Sequence, residues 1–435
     1  MQLRTLDRPE ATSPRRGVVE APNAPSSSFA QNTRLPVHRW FRYPAGFSGA
    51  WAEQVIRSRT SASVVFDPFA GVATTLIAAE VAGRNAIGLE AHPFVARLGS
   101  AKLRWRNVDR ASLTAAAARV AIAAKGMPPT RAKHPEPALL ASAFSAEALC
   151  DLRRLLHAIE RTTERGTDEH ELLWLALVAT LRPCSRAGTA PWQYVLPRRP
   201  KARVASPADR FAHQIATILE DIRTFPAPPA RLMRGDAREC AELQSDSVDL
   251  VLTSPPYPNN YDYADATRLE QTFLGEVNGW GDLQAASRRF LVRACSQHAS
   301  TERLQLEEVL ADVRLGPIRE GLVAACERLD RLRRVRSGRK AYHTMIAAYF
   351  SDMARVWTAL ARVVRPGGHA LFVIGDSAPY GVHIPVEEWM RELAGAAGFS
   401  FVGFSEVRKR NVKWKNRKHR VPLKEGELLL RRRGA

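Results

Sequence analysis

Val248-Asp249-Leu250-Val251-Leu252-Thr253-Ser254-Pro255-Pro256-Tyr257 decides the reading of this chain. The five residues from Val248 to Leu252, mostly apolar, are long enough for a buried strand, and a polar pair and two prolines then stop it. Proline has no backbone donor and cannot continue a central ladder, so Pro255-Pro256 must lie past the strand end in a rigid, extended turn. That turn presents the Ser254 hydroxyl, backbone carbonyls next to prolines and the Tyr257 ring. Such a set suits a flat group with an exocyclic amine: hydroxyl and carbonyl accept the two amine hydrogens, and the ring stacks on the flat face. Taken alone, the four residues equally describe a proline-rich turn with no chemistry, so the rest of the chain has to supply the second half of a site.

The bulk composition narrows the class. The chain has 435 residues, 45% of them hydrophobic, enough for a large core with insertions or for two or three domains. Lys and Arg number 64 against 44 Asp and Glu, a net charge of +20, which favours a polyanion because phosphate contacts release counterions. Cys150, Cys184, Cys240, Cys295 and Cys326 are scattered with no C-x-x-C pair, so neither a zinc site nor a disulfide framework is expected. No apolar run approaches the ~20 residues of a membrane span, and no signal-peptide region opens the chain. The expectation is a soluble, cytoplasmic protein associated with the nucleoid.

Residues 1–34, rich in Pro, Ser, Ala and Arg, read as a disordered arm. An aromatic segment, His38 to Phe47, precedes a helical pattern. Ser63-Val64-Val65-Phe66-Asp67-Pro68-Phe69-Ala70-Gly71-Val72-Ala73-Thr74-Thr75 then reads as strand, tight turn and helix. Asn85 to Glu90 is a second short strand ending in an acid, 23 residues after Asp67. In doubly wound sheets an acid at the end of the second strand accepts bonds from ribose hydroxyls, and Gly71 lets the backbone approach a ligand closely. Helical spacing recurs at 111–125, 144–159, 169–181 and 211–222, and a loop at 182–201 mixes guanidinium groups with aromatics, a composition suited to phosphate contact and base stacking. Arg231 to Ala237 reads as a third strand ending in Gly235-Asp236. The segment 258–265 runs on from the proline turn, 264–345 is helical and strongly charged, and 349–364 is an amphipathic helix. Arg365-Pro366-Gly367-Gly368 turns that helix into a strand ending at Asp376. A last strand pair, 399–406 and 425–430, flanks a basic loop at 408–420.

Ser254-Pro255-Pro256-Tyr257 resembles the catalytic tetrapeptide of the DNA amino-methyltransferases, which methylate N4 of cytosine or N6 of adenine. Asp67 to Thr75 resembles that family's D-P-F-x-G-x-G-T-T loop, with Val72 and Ala73 where Ser and Gly are usual. The resemblance implies an α/β class I methyltransferase (Rossmann-like) core, doubly wound, with a mostly parallel seven-stranded sheet and an antiparallel last strand. The core spans 35–103 and 228–435, with a helical insertion at 104–227 as a possible DNA-recognition region and a second at 264–345. It implies S-adenosylmethionine bound by Asp67, Phe69, Gly71, Glu90, Asp236 and Ser254, catalysis at Ser254, Pro255, Pro256 and Tyr257, and no metal. The partner is double-stranded DNA, contacted by Arg186, Trp192, Lys409, Arg410, Lys413 and Trp414, with a cognate restriction endonuclease as a further candidate. Because Ser is commoner at this position among cytosine enzymes, the expected product is N4-methylcytosine. N6-methyladenine, an RNA amine, and a catalytically inactive cofactor-binding DNA-binding protein stay open as alternatives. The cofactor loop here precedes the catalytic turn, whereas many members of the family have the reverse order.

Overall fold

The computed structural model describes residues 29–43, 46–106, 108–128, 136–190, 194–223, 228–335, 340–410 and 421–434. In chain order, α1 (Gly49–Ser58) leads to β1 (Val64–Asp67), α2 (Thr74–Val81), β2 (Asn85–Glu90) and α3 (Pro93–Lys102). Next come α4 (Arg110–Gly126), α5 (Ala138–Ala143), α6 (Ala146–Thr162), α7 (Asp168–Cys184), the pair β3 (Ala187–Thr189) and β4 (Val195–Pro200), and α8 (Pro207–Asp221). The chain re-enters the main sheet with β5 (Arg231–Arg234) and β6 (Val248–Thr253). The elements α9 (Arg268–Phe273), α10 (Leu283–Ala286), α11 (Ser296–Thr301), α12 (Leu306–Leu310), α13 (Arg319–Val335) and α14 (Tyr342–Val363) follow. β7 (Val364–Gly375), α15 (Val386–Ala396), β8 (Phe399–Arg410) and β9 (Leu423–Arg432) complete the fold.

The main sheet has seven strands in the order β5-β2-β1-β6-β7-β9-β8. β5, β2, β1, β6 and β7 are parallel, and β9 runs antiparallel to both of its neighbours. Because β1 pairs with β2 on one side and β6 on the other, the crevice where open α/β sheets bind ligands falls at the carboxyl ends of β1 and β6. Those ends carry Asp67 and the Thr253-Ser254 pair.

Alternation along the strands builds two cores. Val65, Leu250, Leu252, Leu371 and Val373 face one cluster, which α1 to α4 and α6 to α8 continue. Phe66, Val251, Ala370, Phe372 and Ile374 face the other, filled by α13, α14 and α15. The helices between β2 and β5 therefore share a core with one face of the sheet. Side-chain caps open several of them: Asp109 for α4, Ser145 for α6, Thr167 for α7 and Ser206 for α8.

Three readings of the sequence change. Residues 29–33, placed in the arm by composition, form a short 3-10 turn, and the Asn32 side chain bonds the Phe47 carbonyl and the Gly49 amide. The supposed loop at 182–201 contains the end of α7 and the β3–β4 pair, because backbone pairing stabilises a segment whose Pro and Arg content reads as irregular. The Arg365-Pro366-Gly367-Gly368 turn lies inside β7, where the register shifts between Val248 and Leu250 and Gly367 takes a positive φ.

Asp221, at the end of α8 and 2% exposed, holds the segment that precedes α1. Its carboxylate accepts from the Val37 amide (2.9 Å), the Trp40 indole (2.9 Å) and two Arg39 nitrogens (2.8 and 3.0 Å). Asp221→Ala leaves a buried amide and a buried indole N–H without an acceptor. Urea unfolding should show a loss of about 2–4 kcal/mol, and an unchanged midpoint would remove this clamp from the account of the fold.

Candidate active site

The site begins with Asp67, the last residue of β1 and 1% exposed. One oxygen accepts from the Phe69 amide (3.0 Å) and the Thr253 hydroxyl (2.6 Å), and the other from the Thr75 hydroxyl (2.6 Å). Burial raises its pKa to about 6, against the pull of these three donors. This acid thus joins the turn after β1, the first turn of α2 and the last residue of β6. It lies behind the cavity wall rather than in it.

In front of it is a cavity of about 480 Å³, lined by Pro68, Phe69, Gly71, Glu90, His92, Asp236, Ser254, Pro255, Pro256 and Tyr257, among others. Of the residues assigned to cofactor and catalysis, Phe69, Gly71, Glu90, Asp236 and Ser254 to Tyr257 meet there, and Asp67 alone stands outside. Gly71 has φ 53° and Ala73 φ 68°, so the loop makes two left-handed steps. Where the resembled pattern has Gly, Ala73 adopts the conformation that glycine tolerates and an L residue does not favour.

Glu90, half-buried, accepts from the Gly71 amide (2.9 Å) and the His92 amide (2.7 Å). Each oxygen thereby keeps acceptor capacity for a further donor. Burial pushes its pKa up to about 7, partly offset by these amides. Asp236 is held by Arg238 at 2.7 Å, and Arg238 also reaches the Phe290 carbonyl. Phe290, Leu291 and Val292 close this end of the cavity from the segment between β6 and α14. Nothing in the composition of that charged segment singled them out.

The turn after β6 is held from several directions. The Ser377 hydroxyl donates to the Pro258 carbonyl (2.6 Å), and Ser296 bonds the Asn260 side chain. Arg288 forms a buried ion pair with Asp262 at 2.6 Å. The Tyr194 hydroxyl, from the turn between β3 and β4, accepts from the Asp262 amide at 2.6 Å and lies 3.0 Å from the Asp262 carbonyl. Tyr194 packs on Tyr261 and Tyr261 on Tyr263, with centroids 5.4 and 4.6 Å apart, so Tyr257, Tyr261 and Tyr263 form an aromatic wall. Burial raises the phenol pKa of Tyr257 and of Tyr261, and that of Tyr263 to about 12, which keeps the wall neutral. Tyr257 lies against the end of β7, where a side chain at Gly375 would come within 3.2 Å of its ring.

His92, Tyr43, Phe47, Arg408 and Glu425 also line the cavity. Tyr43 and Phe47 come from the aromatic segment before α1, and His92 and Glu425 carried no sequence signal. Glu425 accepts from Arg408 at 2.9 Å, opposite it in the β8–β9 register. Among the basic residues expected to touch a polyanion, Arg410 lines the cavity with its guanidinium 5.4 Å from the Tyr257 centroid, and Lys409 is exposed on β8. Arg186 is exposed but donates to the Phe144 carbonyl at 2.7 Å. Trp192, Lys413 and Trp414 lie outside the described residues.

The chain is similar to known DNA methylases. Residues 15–100 match the DNA methylase family of the N6/N4 methyltransferase type. The type II methyltransferase M.BsoBI of Geobacillus stearothermophilus is 23% identical over 88% of this chain and 82% of its own length. The type II methyltransferase M.AvaI of Nostoc sp. PCC 7120 is 24% identical over 86% of this chain and 81% of its own length. A solved structure assigned as a DNA modification methylase of Thermus thermophilus is 24% identical, with a TM-score of 0.17, over 20% of this chain and 38% of that one.

Two outcomes follow from the loop and from Glu90. Ala73→Gly should relieve the left-handed strain and raise stability by about 1 kcal/mol, read as a higher melting temperature; a lower one would show that the buried methyl matters more. The Glu90 pKa, raised to about 7, also has a sign for ligand binding. Only the ionised carboxylate can accept from two ligand hydroxyls, so a proton must leave first at low pH. Affinity for an adenosyl ligand should be level above pH 7 and weaken about tenfold per unit below it. Calorimetry at pH 5.5 to 8.5 checks this, and Glu90→Gln should flatten the profile.

Proposed function

We propose that this chain, a member of the DNA amino-methyltransferase family, methylates the exocyclic N4 amine of cytosine at a specific site in DNA. The observation that carries the reading is the convergence of Ser254, Pro255 and Tyr257 with Gly71 and Glu90 around one cavity of about 480 Å³. The volume is within the range of small-molecule sites. The spare acceptor capacity on both Glu90 oxygens fits a ribose diol, and the neutral aromatic wall fits a base.

S-adenosylmethionine, the cofactor of the family, supplies when bound a methyl group activated by a positively charged sulfur. Glu90 holds the ribose, Asp236 lies at the nucleoside end and the Gly71 turn passes close to the ligand. The target base is unreachable inside a duplex and enters flipped out of the stack. Tyr257 then stacks on its face. The Ser254 hydroxyl and the Pro255 carbonyl accept the two amine hydrogens, which draws the nitrogen towards a pyramidal geometry and frees its lone pair from the ring. Holding the amine in that position supplies much of the rate. The Ser254 hydroxyl can also donate, to the ring nitrogen beside the amine, which a carboxylate in its place cannot do.

The net charge of +20 supports DNA as the polyanion, and Arg410 and Lys409 place cations at the catalytic edge of the sheet. By analogy with the type II methyltransferases it resembles, the protein acts in the cytoplasm to protect DNA from a cognate endonuclease.

The test is expression in a host free of DNA methylation, followed by digestion to nucleosides and mass spectrometry. The expected product is N4-methylcytosine, and N6-methyladenine in its place overturns the cytosine assignment. Ser254→Ala should lower the methylation rate by about 100-fold or more.

A further inference from the structure

The cavity of about 480 Å³ extends across the sheet edge on both sides of the turn after β6. Gly71, Glu90 and Asp236 line it beyond β1, β2 and β5, and Arg408, Arg410 and Glu425 line it from β8 and β9. With S-adenosylmethionine in the half that Glu90 marks, the target base takes the half bounded by β7, β9 and β8.

The polar side chains of that second half are strongly ordered. Arg408 and Arg410 both line the cavity, and Lys409 between them is exposed, in the two-residue period of a strand. Glu425 is 7% exposed; one of its oxygens accepts from Arg408 at 2.9 Å, and the other lies 3.5 Å from Nε of Arg410. The Arg410 Nη1 donates to the Asp376 carbonyl at the end of β7, at 3.3 Å. A side chain at Gly375 would come within 2.9 Å of that nitrogen and 3.2 Å of the Tyr257 ring, so the glycine lets the two come together. Nη2 of Arg410 has no hydrogen-bond partner among the described residues. The guanidinium is therefore anchored at Nε and Nη1, sits 5.4 Å from the Tyr257 centroid, and keeps donors for a ligand in the cavity.

Cytosine and adenine share an exocyclic amine and the ring nitrogen beside it. Ser254 and the Pro255 carbonyl meet those two features in either base. The next position along the same edge separates them: cytosine has the O2 carbonyl, an acceptor, and adenine has a C–H. A fixed donor at that position is satisfied by cytosine and left unpaired by adenine, and a buried donor without a partner is a strong ground for rejection.

We propose that Arg410, braced by Glu425 and the Asp376 carbonyl, donates to O2 of the target cytosine and so selects it over adenine. The assignment rests on the cytosine reading and supplies a residue that enforces it, outside both motifs that suggested the family. Arg410 is a specificity residue, and Glu425 a positioning residue that acts through it.

Sequencing the DNA of the methylation-free host that expresses the full chain locates the modified site. Duplexes carrying that site, with cytosine or adenine at the target position opposite an abasic site, then differ in the target base and not in its pairing. The quantity read is the ratio of kcat/KM for the two bases. Wild type should favour cytosine, and Arg410→Met should lower that ratio by about 10- to 100-fold. A contact to phosphate alone, or a general loosening of the fold, lowers both rates together, so an unchanged ratio in Arg410→Met overturns the proposal and leaves the cytosine reading standing. Binding of S-adenosylmethionine by the variant reports that it is folded. If it is not, Glu425→Gln, which removes the charge that braces the guanidinium, should lower the ratio by about 3- to 10-fold, and full retention by it has the same overturning force. A wild-type preference for adenine overturns both the proposal and the cytosine reading.

Discussion

Everything at the carboxyl edge of the parallel strands depends on one buried carboxylate. Asp67 receives donors from the turn after β1, from α2 and from β6, so a single side chain sets three backbones against each other. Thr253 is the residue before Ser254. The position of the hydroxyl assigned to the target amine is therefore tied, through one hydrogen bond at each step, to the loop assigned to the cofactor. A carboxylate with burial of this depth and only hydroxyl and amide partners titrates high, at about 6. The folded state binds that proton more readily than the unfolded chain does. The contribution of Asp67 to stability is thus fullest in acid and is lost as pH rises through 6. The residue is kept for geometry at some cost near neutrality.

Around this centre the two helical segments act as scaffolding for the turn. Tyr194 comes from between β2 and β5, Arg288 and Ser296 from between β6 and α14, and Ser377 from just beyond β7. All bear on residues 258–262. A proline-rich turn is stiff within itself but needs external contacts to fix its orientation, and these supply them.

The parallel strands were legible because buried strands in such sheets are short apolar runs ended by Pro, Gly or an acid. β1, β2, β6 and β7 all fit that description. The role of Glu90 as a cavity acid was legible for the same reason: its place at a strand end is a matter of local spacing. Asp67 shows the limit. Its position was evident, but whether its carboxylate faces a ligand or the interior depends on Thr75 and Thr253, and the second is 186 residues away. His92, Phe290 and Glu425 were hidden likewise, since each enters the cavity through tertiary packing. The 182–201 segment was misread because arginine and proline outweighed the pairing that β3 and β4 achieve.

The long reach of the Asp67–Thr253 bond bears on how the molecule forms. β1 has β6 as one of its two neighbours, and the intervening chain includes α4 to α8. Loop closure of that length must precede the central pairing, whereas the intervening helices form through local contacts. Synthesis from the N-terminus therefore exposes β1 and β2 before their central partner exists. The apolar face of these strands needs temporary cover, and α1, α2 and the neighbouring helices of the same core are available to give it. Assembly of the central sheet waits on β6, and the two halves of the site arise in one late event.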